Sequence, residues 1–155
     1  MSTSHQIELE CPHCGHKQVA TLWGSINVTV HPHLKEEFFK GRLNFFDCEE
    51  CKMQTPTICG FMYNDMHKKI LVQYQPPQEM EDREFLDLFT ANGTVVLPEE
   101  LAKIPEIQQY MSQPHVVFDM EELRRYVRFR ELLYERRGPE TGGSGGTGAE
   151  DESPN

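Results

Sequence analysis

The chain has 155 residues, enough for one domain of ordinary size, and a formal net charge of −10, which disfavours non-specific binding to phosphate backbones. Hydrophobic residues make up 37%, so the core is expected to be thin and helped by a cross-link or a metal. No run of 18 or more apolar residues exists, and the opening "MSTSHQIELE" has no basic stretch followed by an apolar one, so no membrane span or signal peptide is expected and the cytoplasm is the expected compartment.

In chain order, "HQIELE" (5–10) alternates and predicts a strand running into the first cysteine pair, "CPHCG". "KQVATLWGSINVTV" (17–30) is rich in β-branched residues and predicts one or two strands, broken near Gly24. "HPHLKEEFFKG" (31–41) changes to helical spacing, with Pro32 in the first turn and Gly41 as the stop. "RLNFFDC" (42–48) predicts a strand leading into the second pair, "CEECK". The next unit reads as a β-hairpin with arms near 57–63 and 69–74 and the turn "NDMHK", ended by Pro76 and Pro77.

After the double proline the pattern turns helical. A helix is expected over 78–90, with Phe85, Leu88 and Phe89 on one face. Residues 98–111 predict a helix that Pro105 kinks or splits. "HVVF" (115–118) is a short strand. Asp119, with Glu122 three residues on, caps a long helix whose apolar positions are Leu123, Tyr126, Val127, Leu133 and Tyr134. The last stretch, 138–155, is acidic, rich in Gly and Ser and without large apolar residues, so it is expected to be a disordered tail.

In the cytoplasm, paired cysteines serve as metal ligands or redox groups more than as structural disulfides. A Cys-x-x-Cys turn can aim both thiolates at one ion, and two such turns complete a tetrahedral site. Cys11, Cys14, Cys48 and Cys51 are therefore the expected ligands of a single structural Zn2+; iron takes the same ligands. The 33 residues between Cys14 and Cys48 exceed the usual ribbon gap, and the helix over 31–41 accounts for the insert. Doubling a loop costs only about 0.6 kcal/mol. A redox Cys-x-x-Cys would open a helix, and neither pair does. His13 and His16 are expected to face solvent, and Cys59 to be a small buried thiol.

The order "CPHCG", "SINVTVHPHLKEEFFKGRLNFFDCEEC", "FMYNDMHKKILVQY" resembles the bacterial CpXC domain. The match runs over about 5–75, with a looser helical remainder, and the second pair departs from it by lacking the proline. The resemblance implies a metal site and a fold, and no particular activity.

The expected architecture is α+β, a single unit over 1–137: a zinc-ribbon-like antiparallel sheet with an inserted short helix (5–75), packed by C-terminal helices (78–137). The expected role is an interaction or adaptor module with a protein partner, not an enzyme, since four thiolates leave no open metal position. One alternative is a metal-dependent enzyme with a second site at His31, His33, Asp65 and His67. Another is nucleic-acid binding through Arg124, Arg125, Arg128, Arg130, Arg136 and Arg137, though the accompanying acids make that helix about neutral, with pairs such as Glu121–Arg125. Phe129 falls off the apolar stripe and is the candidate docking point of this helix, and Tyr63 and Tyr74 are expected to pack a sheet face.

Overall fold

The computed structural model describes residues 1–139, so the tail expected over 138–155 lies, from residue 140 on, outside the described residues. Strands β1 (Thr3–Glu10) and β2 (Lys17–Asn27) form a hairpin, followed by helix α1 (His33–Phe39) and a small hairpin of β3 (Phe45–Asp47) and β4 (Gln54–Pro56). Then come β5 (Phe61–Asp65) and β6 (Ile70–Tyr74), short helices α2 (Arg83–Leu86), α3 (Glu99–Ala102) and α4 (Pro105–Met111), strand β7 (His115–Val117) and helix α5 (Met120–Arg137). The protein is thus α+β. No helix among the described residues is long and apolar enough to cross a membrane.

The main sheet is mixed, where an antiparallel one was expected. Its order is β1-β2-β5-β6-β7, with β2–β5 and β6–β7 parallel. A parallel pair needs a long crossover, and both connections supply one: α1 with the β3–β4 hairpin, and α2 to α4. The break expected near Gly24 is a β-bulge: Ser25 pairs with Thr3 and Trp23 with Ser4, leaving Gly24 as the extra residue of an otherwise continuous strand. The first hairpin arm begins later than expected, at Phe61, and the Thr57 amide donates instead to the Asn44 carbonyl, beside the β3–β4 hairpin.

Alternation along β5 and β6 decides the core. Phe61, Tyr63, Ile70, Val72 and Tyr74 face one side, where Leu34 and Phe38 of α1 and Leu123 and Val127 of α5 cover them. The Phe38 ring stacks on Phe61 at 6.0 Å and lies 4.9 Å from that of Tyr63. Tyr63 and Tyr74 are accordingly core residues. On the opposite face, α4 is anchored by the Tyr110 hydroxyl, which donates to Asn64 Oδ1 at 3.3 Å.

Helix α1 ends where Gly41 takes φ +66, a backbone conformation that favours glycine, and the Arg124 guanidinium packs beside it. Asp119 caps α5 as expected, accepting from the Glu122 amide at 2.8 Å. The stripe of α5 differs from the expected one, since Leu133 is exposed and Glu131 is buried in its place. Lys35 of α1, Lys68 of the β5–β6 turn and Arg128 surround the Glu131 carboxylate, so this buried acid joins three elements. Burying it without those cations would be strongly unfavourable. Glu121 pairs with Arg124, one turn position earlier than Arg125. The helix expected over 78–90 shrinks to a single 3-10 turn, Pro77–Glu79, and α2, which bury no residue. Helix spacing without a surface to cover leaves little to hold a longer helix.

Candidate metal centre

Each cysteine pair sits where a hairpin turns, and the two turns share one hydrogen-bond pattern. In the first, the Cys11 amide donates to the His16 carbonyl at 2.8 Å and the Gly15 amide to the Cys11 carbonyl at 2.9 Å. In the second, the Cys48 amide donates to the Met53 carbonyl and the Lys52 amide to the Cys48 carbonyl, both at 3.0 Å. The residue after each pair takes positive φ: Gly15 at 75° and Lys52 at 61°. The second knuckle therefore reaches the geometry of the first without Pro12's counterpart, and with a lysine where glycine is the easier residue.

The four sulfurs lie within 4.8 Å of one another, with Cys11–Cys51 and Cys14–Cys48 at 3.6 Å. A tetrahedron with Zn–S near 2.3 Å has sulfur–sulfur edges of about 3.8 Å, so the arrangement fits such an ion. All five cysteines are free of disulfides. Among the described residues, this is the one group of three or more His, Cys, Asp or Glu side chains placed to hold a metal ion.

The knuckle amides prepare the sulfurs unequally. The amides of Cys51 and Glu50 point at Cys48 and, against its burial, draw its thiol down to about 6. At Cys14 the His16 amide pulls the same way, but burial and the thiols of Cys48, Cys51 and Cys11 outweigh it and push the thiol up to about 12. At Cys51 the Met53 amide lowers, yet burial and the Cys48 and Cys11 thiols raise it. Crowded thiols thus oppose shedding every proton unless a cation shares the negative charge. The donor set, its spacing and its electrostatics suit a thiophilic divalent metal.

Two polar side chains hold the second knuckle against the first, and neither stood out in the sequence as a site residue. Gln18 of β2 donates from Nε2 to the Asp47 carbonyl at 2.9 Å and accepts from the Glu49 amide at 2.8 Å. Asn44 accepts from the Trp23 amide at 2.7 Å and donates to the Trp23 carbonyl at 2.9 Å, imitating a strand partner along the open edge of β2. Its backbone is left-handed, at φ 60°, a conformation asparagine tolerates better than most residues. The one sequence signal for it is its place in "GRLN", after the helix stop.

The remaining candidates fall elsewhere. His31 meets the Ser2 hydroxyl at 3.0 Å and lies edge-on to His33. His67 packs against Tyr134. Asp65 accepts from the Lys68 amide within the β5–β6 turn and from the hydroxyl of Thr29, which follows β2. The structure does not gather these four into a ligand set. Cys59 receives the Asn44 amide group at 3.3 Å, and burial followed by the nearby Glu79 pushes its thiol up, away from reactivity. Arginines of α5 divide among tasks: Arg124 to Glu121 and the Phe38 carbonyl, Arg128 to Glu131 and Glu135, Arg130 to Tyr126 and the Lys69 carbonyl. His13 is exposed and His16 half-buried; Phe129 is exposed.

A family model described as CpXC protein matches residues 9–136. No curated protein and no solved structure matches the chain.

Proposed function

The chain belongs to the CpXC family, and from that premise we propose that Cys11, Cys14, Cys48 and Cys51 hold one structural zinc ion in a zinc-ribbon-like clamp, on an adaptor that docks a protein partner in the cytoplasm. The observation that carries the metal assignment is the duplication of one knuckle geometry around four converging sulfurs. Four protein thiolates complete a tetrahedral shell, so the site is structural and supplies no open position for substrate.

The partner reading rests on the surface beside the clamp. Leu9, Pro12, Phe46, Pro56 and Ile58 border a shallow apolar groove between the two hairpins. Ile58, which lines this groove, is 64% exposed. Apolar side chains rimmed by charge are what transient protein interfaces use.

Metal analysis of the purified chain should return about one zinc per chain, and Cys48→Ser should lose it. A red, iron-loaded protein would replace zinc with iron, and two zincs per chain would favour the second, histidine-based site. For the adaptor reading, a partner captured from the native host should be lost on Ile58→Glu while zinc content stays at that of the parent. Capture that is indifferent to Ile58→Glu rejects this surface.

A further inference from the structure

A second concavity, of about 340 Å³, opens at the β6–β7 edge of the sheet, away from the cysteines, which sit at the β1–β2 end. Lys69, His115, Tyr126 and Arg130 line it together with the amide side chains of Gln109 and Gln113. Among the described residues no carboxylate lines it. That is unexpected in a chain with 25 acids and 15 bases.

The contrast with the adjacent residues is direct. Lys68 and Arg128 reach the buried Glu131, whereas Lys69 and Arg130, next to or near them in the chain, have no acidic partner among the described residues. Arg130 is nevertheless held in place. Its Nη1 donates to the Tyr126 hydroxyl at 3.2 Å and its Nη2 to the Lys69 carbonyl at 3.4 Å. Of the five N–H donors of a guanidinium, three remain for something else. The Tyr126 ring stacks on that of His115 at 3.8 Å, with 7° between the planes, and forms a flat wall. Lys69 sits at φ 52°, where glycine or asparagine would be less strained, so the turn itself does not ask for a lysine.

We propose that this cavity binds a small phosphate ester, of mononucleotide size or smaller. The Arg130 fork matches two phosphate oxygens, and Lys69 supplies a second, mobile positive charge. Gln109 and Gln113 offer donors and acceptors to a hydroxylated remainder such as a sugar, and the His115–Tyr126 wall gives it a flat surface. The volume lies at the lower end of small-molecule sites, which limits the ligand to that size.

Ribose 5-phosphate titrated into the isotopically labelled, metal-loaded full chain at constant ionic strength provides the test, with ribose as the control. Saturable shifts confined to the surroundings of Lys69, His115, Tyr126 and Arg130, absent with ribose, are expected. Arg130→Gln should weaken binding by roughly tenfold or more, and Arg136→Gln, in the exposed last turn of α5, should leave it unchanged. Lys69→Gln, which breaks no ion pair among the described residues, should also weaken binding without altering the melting temperature, so a folding defect in the first variant cannot hide the result. Linear shifts spread over many lysines, or an affinity unchanged in both variants, would overturn the proposal. Equal binding of citrate would overturn the phosphate assignment. Tighter binding of a single-stranded RNA, with steep salt dependence, would replace the small molecule by a nucleic acid.

Discussion

Around α1, α5 and the middle of the sheet, one continuous apolar cluster runs from Ile26 through Phe38, Tyr63 and Val72 to Val127. Around the knuckles the buried cluster is Cys11, Phe46 and Cys48, with Leu9, Ala20 and Cys51 at its margin. Half of that second cluster is cysteine. The sheet–helix body can therefore be held by burial in the ordinary way, while the paired hairpins have too little apolar surface to hold themselves. With the proposed metal in place, one short chain would use two unlike means of support, and each should fail under a different insult.

The largest effect should come from metal removal. Binding to small zinc modules is worth about 10–16 kcal/mol, comparable to the whole stability of a domain. A strong chelator should expose the amides of Cys11, Gly15, Cys48 and Lys52 to rapid hydrogen exchange while Tyr63 and Val72 stay protected. Exchange that rises equally in both regions would abolish the distinction, and no change in the knuckles would remove the metal's structural role. The opposite insult is Phe38→Ala. Phe38 is 1% exposed, and emptying its place should cost about 3–5 kcal/mol in urea unfolding. Metal content per folded chain should be unaltered.

How much of this division was readable beforehand follows from the range of the interactions involved. Ligand spacing is local, so the four cysteines and their single site could be read directly, and the cap at Asp119 and the stop at Gly41 are local too. The β2–β5 partnership was not readable. It is made across a connection holding a helix and a hairpin, and nothing in either strand specifies a parallel neighbour. Residues 78–90 show the complementary failure: Phe85, Leu88 and Phe89 have helical spacing, but spacing cannot say whether a surface awaits them. In the sequence Glu131 is one acid on a helix of mixed charge, and only the approach of Lys35 and Lys68 from other elements makes it a buried junction.

Asn44 offers a finer test, because it stands at the seam between the two regions. Alanine there would remove both bonds to the Trp23 backbone and be strained at φ 60°. Glycine would relieve the backbone and still lack the amide. A loss of about 1–3 kcal/mol is expected for alanine, with glycine closer to the parent, read as faster exchange in the β3–β4 hairpin. If glycine were as damaging as alanine, the amide bonds alone would carry the seam; if it were harmless, only the backbone conformation matters.

The smallest effect concerns a flaw within the apolar body itself. The Tyr63 hydroxyl is buried and has no hydrogen-bond partner among the described residues. Burial first, then the Glu131 and Asp65 carboxylates, push its ionisation above the ordinary tyrosine range. In the unfolded chain the same phenol ionises near pH 10. Below that pH both states keep the proton, and the group adds no pH dependence. Above it the unfolded chain releases the proton and the folded chain retains it, so stability falls as pH rises, by up to about 1.4 kcal/mol per pH unit for this one group. Tyr63→Phe should therefore raise stability by about 1 kcal/mol at pH 7, by removing an unpaired buried hydroxyl, and should flatten the decline between pH 10.5 and 11.5 by about one proton's worth. Paired urea titrations of the parent and the variant at pH 7, pH 10.5 and pH 11.5 measure both quantities. A variant less stable than the parent at pH 7 would mean that the hydroxyl has a partner after all, and that the apolar body, like the clamp, depends on a polar contact at its centre.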